Sequence, residues 1–201
     1  MPGVRAYVDA FLVAPCSFEA AKHAVLRWHY SGSMPSGKLV KYGVWEDGTF
    51  VGAVIFGRGA SAPLATTMAR RFDVKITEFA ELVRVALTAH RAPTSQIVAE
   101  ALRLLKVENP GLRIVVSFAD PEEGHAGILY QAGNWTYTGR SAPVRQWFLR
   151  GRWRHERSSW GSGDDLERAP QRTREGKHRY YYPLDRAMRR IFLAASLLAA
   201  A

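Results

Sequence analysis

The sequence predicts a mixed α/β (α+β) fold with helices flanking a mixed central sheet, and two patterns carry that prediction. Residues 38–57 read as two strands around Glu46-Asp47-Gly48-Thr49, because Asp-Gly supplies the positive φ angles of a tight hairpin turn. Residues 79–119 read as strand, helix, strand, the form of a right-handed crossover between parallel strands. No repeat or heptad run is present, which argues against a solenoid or a coiled coil.

The elements follow in order. Ser17 is the N-cap of a first helix over 17–29, with Ala21, Val25, Leu26 and Trp28 at helical spacing. The loop Ser31–Gly37 leads into the hairpin. Residues 79–88 alternate as a central strand carrying Glu81 and Arg84 on opposite faces. Pro93, Thr94 and Ser95 open a helix whose Ile97, Val98, Ala101, Leu102, Leu104 and Leu105 repeat helically until Asn109-Pro110-Gly111. The apolar run 114–119 is a buried parallel strand ending at Asp120. A short helix over about 124–132 has Gly133 at its C′ position, and WTYTG and QWFL are closing strands. Residues 151–178 have no apolar period and read as a mobile arm, while the apolar 191–201 is a final packing helix, about half the length a membrane span needs. The expected organisation is a domain over 1–150 and a basic aromatic arm with a short apolar helix over 151–201.

A chain of 201 residues with 47% hydrophobic content can bury one sizeable core. Its net charge of +10 attracts polyanions, nucleic acid or an acidic membrane surface. Residues 140–190 hold 14 Arg or Lys against 6 Asp or Glu, interleaved with Trp147, Trp153, Trp160, Tyr180, Tyr181 and Tyr182, a composition that grips phosphate and stacks bases or is simply a solvated basic tail. The lone Cys16 excludes an internal disulfide and a Cys-rich zinc site, and no signal-peptide pattern opens the chain, so a reducing cytoplasm is expected.

The element order, with Leu129-Tyr130-Gln131-Ala132-Gly133-Asn134-Trp135, resembles the GNAT acetyltransferase-like architecture. Three strings narrow the likeness: Trp28-His29-Tyr30-Ser31, Glu81-Leu82-Val83-Arg84, and Ser117-Phe118-Ala119-Asp120 running into His125, Gly127 and Tyr130–Asn134. With Lys177–Asp185, they are similar to bacteriophage Mom proteins over residues 25–186. That resemblance implies addition of a carbamoylmethyl group to the exocyclic amine of adenine in DNA, protecting a phage genome from restriction in the host cytoplasm. It also raises an iron requirement, for which imidazole plus carboxylate would suit, without assigning a metal ligand. GNAT enzymes hold the pyrophosphate of acetyl-CoA on a Gly-rich turn at a helix N-terminus; here that turn reads Arg91-Ala92-Pro93-Thr94-Ser95-Gln96, without Gly and with Pro93 lacking an N–H, so acetyl-CoA is a doubtful donor. The donor, a small molecule or a carrier-borne group, stays unnamed.

Adenine's amine is a poor nucleophile, so candidate groups are sought where the sheet opens. Asp120 is either a base or amine-positioning acceptor or an ordinary N-cap. Tyr130 matches the tyrosine general acid of the superfamily, or packs in the core. Ser117 faces the cleft or satisfies a neighbouring backbone group. Arg84 and Glu81 anchor an anion or form an ion pair. His29 and Tyr30 sit at a loop with access to substrate, and His125 adds a second imidazole. Gly127 and Asn134 belong to the matched strings, and Arg152, Arg154 and Arg179 are expected to hold DNA. A base taken out of the duplex needs aromatic contacts, for which Tyr42, Trp45, Trp135 and Trp147 are candidates. Two other readings fit part of the pattern: an acetyl-CoA-dependent N-acetyltransferase, and a nucleic-acid-binding protein without catalysis.

Overall fold

The computed structural model describes residues 11–58, 62–155 and 166–200. The elements are β1 (Leu12–Pro15), α1 (Phe18–Trp28), β2 (Leu39–Glu46), β3 (Thr49–Gly57), α2 (Ala62–Phe72), β4 (Phe79–Leu87), α3 (Thr94–Glu108), β5 (Ile114–Ala119), a 3₁₀ turn (Pro121–Glu123), α4 (Ile128–Ala132), β6 (Thr136–Arg140), β7 (Val144–Leu149), β8 (Arg152–His155), β9 (Gln171–Arg174), β10 (His178–Pro183) and α5 (Arg186–Ala200). Seven strands form a mixed sheet in the order β1-β2-β3-β4-β5-β10-β6, and β8-β7-β9 form a second sheet. The mixed α/β class is the one the sequence predicts.

The hairpin turns at Asp47 and Gly48, with φ of 48° and 76°. Ser17 caps α1 by accepting from the Ala20 amide at 3.1 Å. Strands buried on both faces supply the core. Val54, Phe56, Val115 and Tyr180 pack with Ile97, Ala101 and Leu105 of α3 on one side. On the other, Ala53 and Ile55 meet α1, while Ile114, Val116 and Tyr181 meet Met68, Phe72, Met188 and Phe192 of α2 and α5. No helix among the described residues is long and apolar enough to cross a membrane.

The expected boundary at 150/151 does not separate a domain from an arm. β8 pairs with β7 across it, β9 pairs with β7 from the other side, and β10 lies inside the main sheet between β5 and β6. The missing apolar period has a physical reason: β8 and β9 flank β7 in a small, cation-rich sheet, and β10 buries Tyr180 and Tyr181 on opposite faces. Arg157 and Trp160 lie outside the described residues. Gly133 takes an ordinary φ of −93°, and Asn134 instead adopts the left-handed conformation after α4, with φ 58°, which its short polar side chain tolerates.

Glu46, at the end of β2, fixes the turn between β4 and α3. Its carboxylate accepts from the Arg91 amide at 2.9 and 3.0 Å and from the Ala92 amide at 2.8 Å, while Arg91 also pairs with Asp47. The Ala92 and Arg91 amides hold the Glu46 pKa below its ordinary 4.5, against burial, which raises it. A carboxyl depressed in this way adds stability above its unfolded pKa and loses that contribution as pH falls through the folded value. Glu46→Gln is therefore expected to be less stable at pH 7 by about 1–3 kcal/mol, with the gap to wild type closing on acidification below about pH 4. Urea unfolding across pH checks this; equal stability at pH 7 would remove Glu46 as the anchor of the turn.

Candidate active site

The sheet opens at its middle. β4 and β5 pair in parallel from Phe79↔Ile114 to Leu82↔Ser117, although β4 continues to Leu87 and β5 to Ala119. A β-bulge at Val83, which has no partner between Leu82↔Phe56 and Arg84↔Ile55, bends β4 at this point. The fork holds a cleft of about 350 Å³ lined by His29, Tyr30, Arg84, His125, Gly127 and Tyr130 together with backbone and apolar groups of both strands.

Tyr130, on α4, closes the vertex. Its Oη lies 2.8 Å from Ser117 Oγ, and Ser117 donates to the Leu82 carbonyl at 2.9 Å. Ser117 thus satisfies a backbone group, as one of its two expected roles required, and is itself buried. The Tyr130 ring stacks on Tyr180 of β10 at 4.7 Å and 17° and meets Trp135 edge-on. Burial pushes its pKa up to about 12. Gly127 caps α4 with φ 79°, and a side chain there would collide with the Tyr180 hydroxyl, so only glycine lets α4 approach β10.

Above the vertex the lining is cationic and aromatic. The bulge breaks the two-residue alternation of β4: Ala80 and Leu82 face α3 before it, Val85 and Leu87 after it. Arg84 consequently shares a side with Glu81, whose charge supports it, and the expectation of opposite faces is corrected. Arg84 donates to the carbonyls of Ser33 and Val83. His29, the C-cap of α1, accepts from the Ser31 amide on Nδ1 at 3.1 Å, so its neutral ring carries the proton on Nε2. Burial, followed by the charges of Arg84, His125 and Lys177, lowers its pKa from 6.5 to about 4. Tyr30, 51% exposed, lies between the two imidazoles, 4.3 Å from His29 and 5.1 Å from His125.

Asp120 does not present a base to this cleft. It is 1% exposed, caps the 3₁₀ turn by accepting from Glu122, and binds Arg174 at 2.9 Å and Lys177 at 3.0 Å. Those cations stand more than fifty residues later, beyond the reach of a local reading. Asn134 lines a different hollow, with Tyr182 and Arg189. Arg179 is tied to Thr138 and lies over Tyr181. Arg152 and Arg154 stand on β8, opposite Leu149 and Trp147. Tyr42, Trp135 and Trp147 are core residues, Tyr42 donating to Glu108, and Trp45 packs on Phe50; Tyr30 supplies the exposed ring instead. Tyr180 and Glu46 were missed in the sequence. Three consecutive aromatics before a proline, read as a strand buried on both faces, could have revealed Tyr180.

The Mom protein family model matches residues 10–197. The chain belongs to the Mom protein family. It is similar to the methylcarbamoylase Mom of Escherichia phage Mu, 28% identical over 130 residues covering 64% of this chain. The match spans about half, 53%, of that relative's length. Among solved structures it resembles the ribosomal-protein-S18-alanine N-acetyltransferase of Escherichia coli (TM-score 0.52, 10% identity, 87% of this chain and 94% of that one). It also resembles a probable GNAT-family acetyltransferase from Chromobacterium violaceum (TM-score 0.50, 11% identity, 92% and 94%). At these identities the likeness shows the fold, which is GNAT-like.

In this Mom-family chain the turn before α3 is held by a carboxylate of its own. The amides of Arg91 and Ala92 are already bound to Glu46, and Pro93 has none. The imidazole–carboxylate pair that would suit iron is not formed with Asp120, which is held by Arg174 and Lys177. No three His, Cys, Asp or Glu side chains among the described residues are placed to share a metal ion.

In an NMR pH titration, His29 is expected to stay neutral, protonated on Nε2, down to about pH 4. A midpoint near 6.5 would place the ring in open solvent and remove it from the cleft wall.

Proposed function

We propose that the chain modifies DNA, adding a carbamoylmethyl group to the N6 amine of adenine and so protecting phage DNA from restriction. The observation that carries this reading is a fork whose vertex is a phenol–hydroxyl pair and whose rim is an exposed ring beside a guanidinium, in a chain of the Mom family. The phage Mu relative is named a methylcarbamoylase, which agrees with transfer of a group of this kind.

The chain's own residues divide the work. Tyr30, framed by His29 and His125, offers a face on which a base taken out of the duplex can stack. Arg84 sets a fixed positive charge against developing or donor negative charge. The neutral His29 donates a hydrogen bond without adding a second full charge. Tyr130, held by Ser117, meets the amine at the vertex. The strand itself is held by the second sheet, where Arg145 and Arg152 are exposed and Arg172 lies over Trp153 at 4.8 Å. Arg172 and Arg174 pair with Glu122 and Glu123, next to Gly124 on the cleft rim, and this keeps the cationic sheet beside the opening. The donor in this reading is a small molecule or a carrier-borne group.

Mass spectrometry of nucleosides from the DNA of cells expressing the chain is expected to show adenosine enlarged by a carbamoylmethyl group, and Tyr130→Phe to reduce it by about 10²-fold through loss of positioning. Unchanged adenine would leave a binding protein, and N6-acetylated adenine an acetyltransferase.

Neutralising Arg145 and Arg152 together is expected to weaken binding to single-stranded DNA and lower the slope of log K against log salt by about 1.4, roughly 0.7 for each lost phosphate contact. Fluorescence anisotropy at several salt concentrations measures it, and an unchanged slope would move the DNA surface off this sheet.

A further inference from the structure

The direction of the hydrogen bonds at the fork is set by an atom with no proton to give. The Leu82 carbonyl only accepts, so the 2.9 Å contact from Ser117 Oγ uses the one hydroxyl proton of Ser117. The phenol must then be the donor in the 2.8 Å contact between Tyr130 Oη and Ser117 Oγ. The chain runs Tyr130 to Ser117 to Leu82 and stops at a backbone group that cannot pass a proton on. A tyrosine acting as a general acid needs its proton aimed at a leaving atom; here it is aimed into the sheet. What the phenol oxygen keeps for the cleft is lone pairs. Stacking on Tyr180 and edge contact with Trp135 hold the ring in place, so the oxygen does not swing out of this arrangement.

We propose that Tyr130 positions the acceptor amine: its phenol oxygen takes a hydrogen bond from an N–H of the base and so selects an exocyclic amine over a carbonyl at that position of a purine. The proposal rests on the adenine reading above and deepens it. Adenine presents N–H donors at C6, whereas hypoxanthine presents an oxygen that would face Tyr130 lone pair against lone pair. An unsubstituted purine makes neither contact. Ser117 is the positioning residue that sets this polarity, because without its hydroxyl the phenol proton is free to turn toward the cleft.

The test uses the full chain and three single-stranded pyrimidine oligonucleotides that differ in one central base: adenine, purine or hypoxanthine. Wild type is expected to hold the adenine strand about 5-fold more tightly than the purine strand, and by a larger factor over hypoxanthine. Tyr130→Phe, which keeps the stacked ring, is expected to bring adenine and purine within about 2-fold of each other. Ser117→Ala is expected to narrow the gap between adenine and hypoxanthine. Hypoxanthine bound as tightly as adenine by wild type would overturn the proposal alone, as would full adenine preference in Tyr130→Phe with unchanged circular dichroism. Failure to bind any of the three strands would overturn the DNA reading itself and this proposal with it.

Discussion

The short parallel ladder between β4 and β5 is the constraint on which the site depends. A sheet that loses pairing in its middle exposes backbone groups on two strands, and it stays rigid only if each strand is held from its other side. β3 does this for β4, and β10 does it for β5, pairing with it from Pro183↔Ile114 to His178↔Ala119. The last sheet strand in the chain is therefore what allows the middle of the sheet to open. Tyr180 joins support to site directly, since it lies opposite Ser117 on β5 and stacks on Tyr130.

A second constraint holds the basic segment in place. Asp120 is buried with its charge matched by Arg174 and Lys177, and removing one partner of such a group typically costs about 3–5 kcal/mol, because a buried charge is left uncompensated. These cations flank the connection from β9 to β10. The carboxylate therefore joins the end of β5, the second sheet and the strand that backs the fork. A protein of net charge +10 gains from this arrangement a fixed direction for its field: cations not neutralised by Asp120, Glu122 and Glu123 are displayed on a sheet anchored at the rim of the cleft.

What could be read from the sequence follows from how local each signal is. Asp47-Gly48, the Ser17 cap and the helical period of α3 are decided within a few residues, and they hold. Tyr130, Gly127, His29, Tyr30, Arg84 and His125 converge on the cleft because the strings that carry the family resemblance lie at the ends of the strands and helices around it. Long-range pairings escaped. The role of Asp120 depends on residues 54 and 57 positions away, and β10 has Tyr180 and Tyr181 on opposite, equally buried faces, so no polar alternation marks it as a strand. The bulge at Val83 is invisible to a two-residue period, and it reverses which side Arg84 takes.

The turn before α3 is closed from within the chain. A helix N-terminus attracts anions because its first amides lack partners inside the helix, and a loop with free amides at that end suits a phosphate. In this chain the carboxylate of Glu46, delivered by the hairpin, takes the Arg91 and Ala92 amides, and Pro93 removes the next one. The hairpin and the turn are thereby tied together, with two amides of the turn committed to Glu46. The guanidinium of Arg84, the neutral imidazole of His29 and the backbone of β4 beyond Leu82 are polar groups that the cleft itself presents.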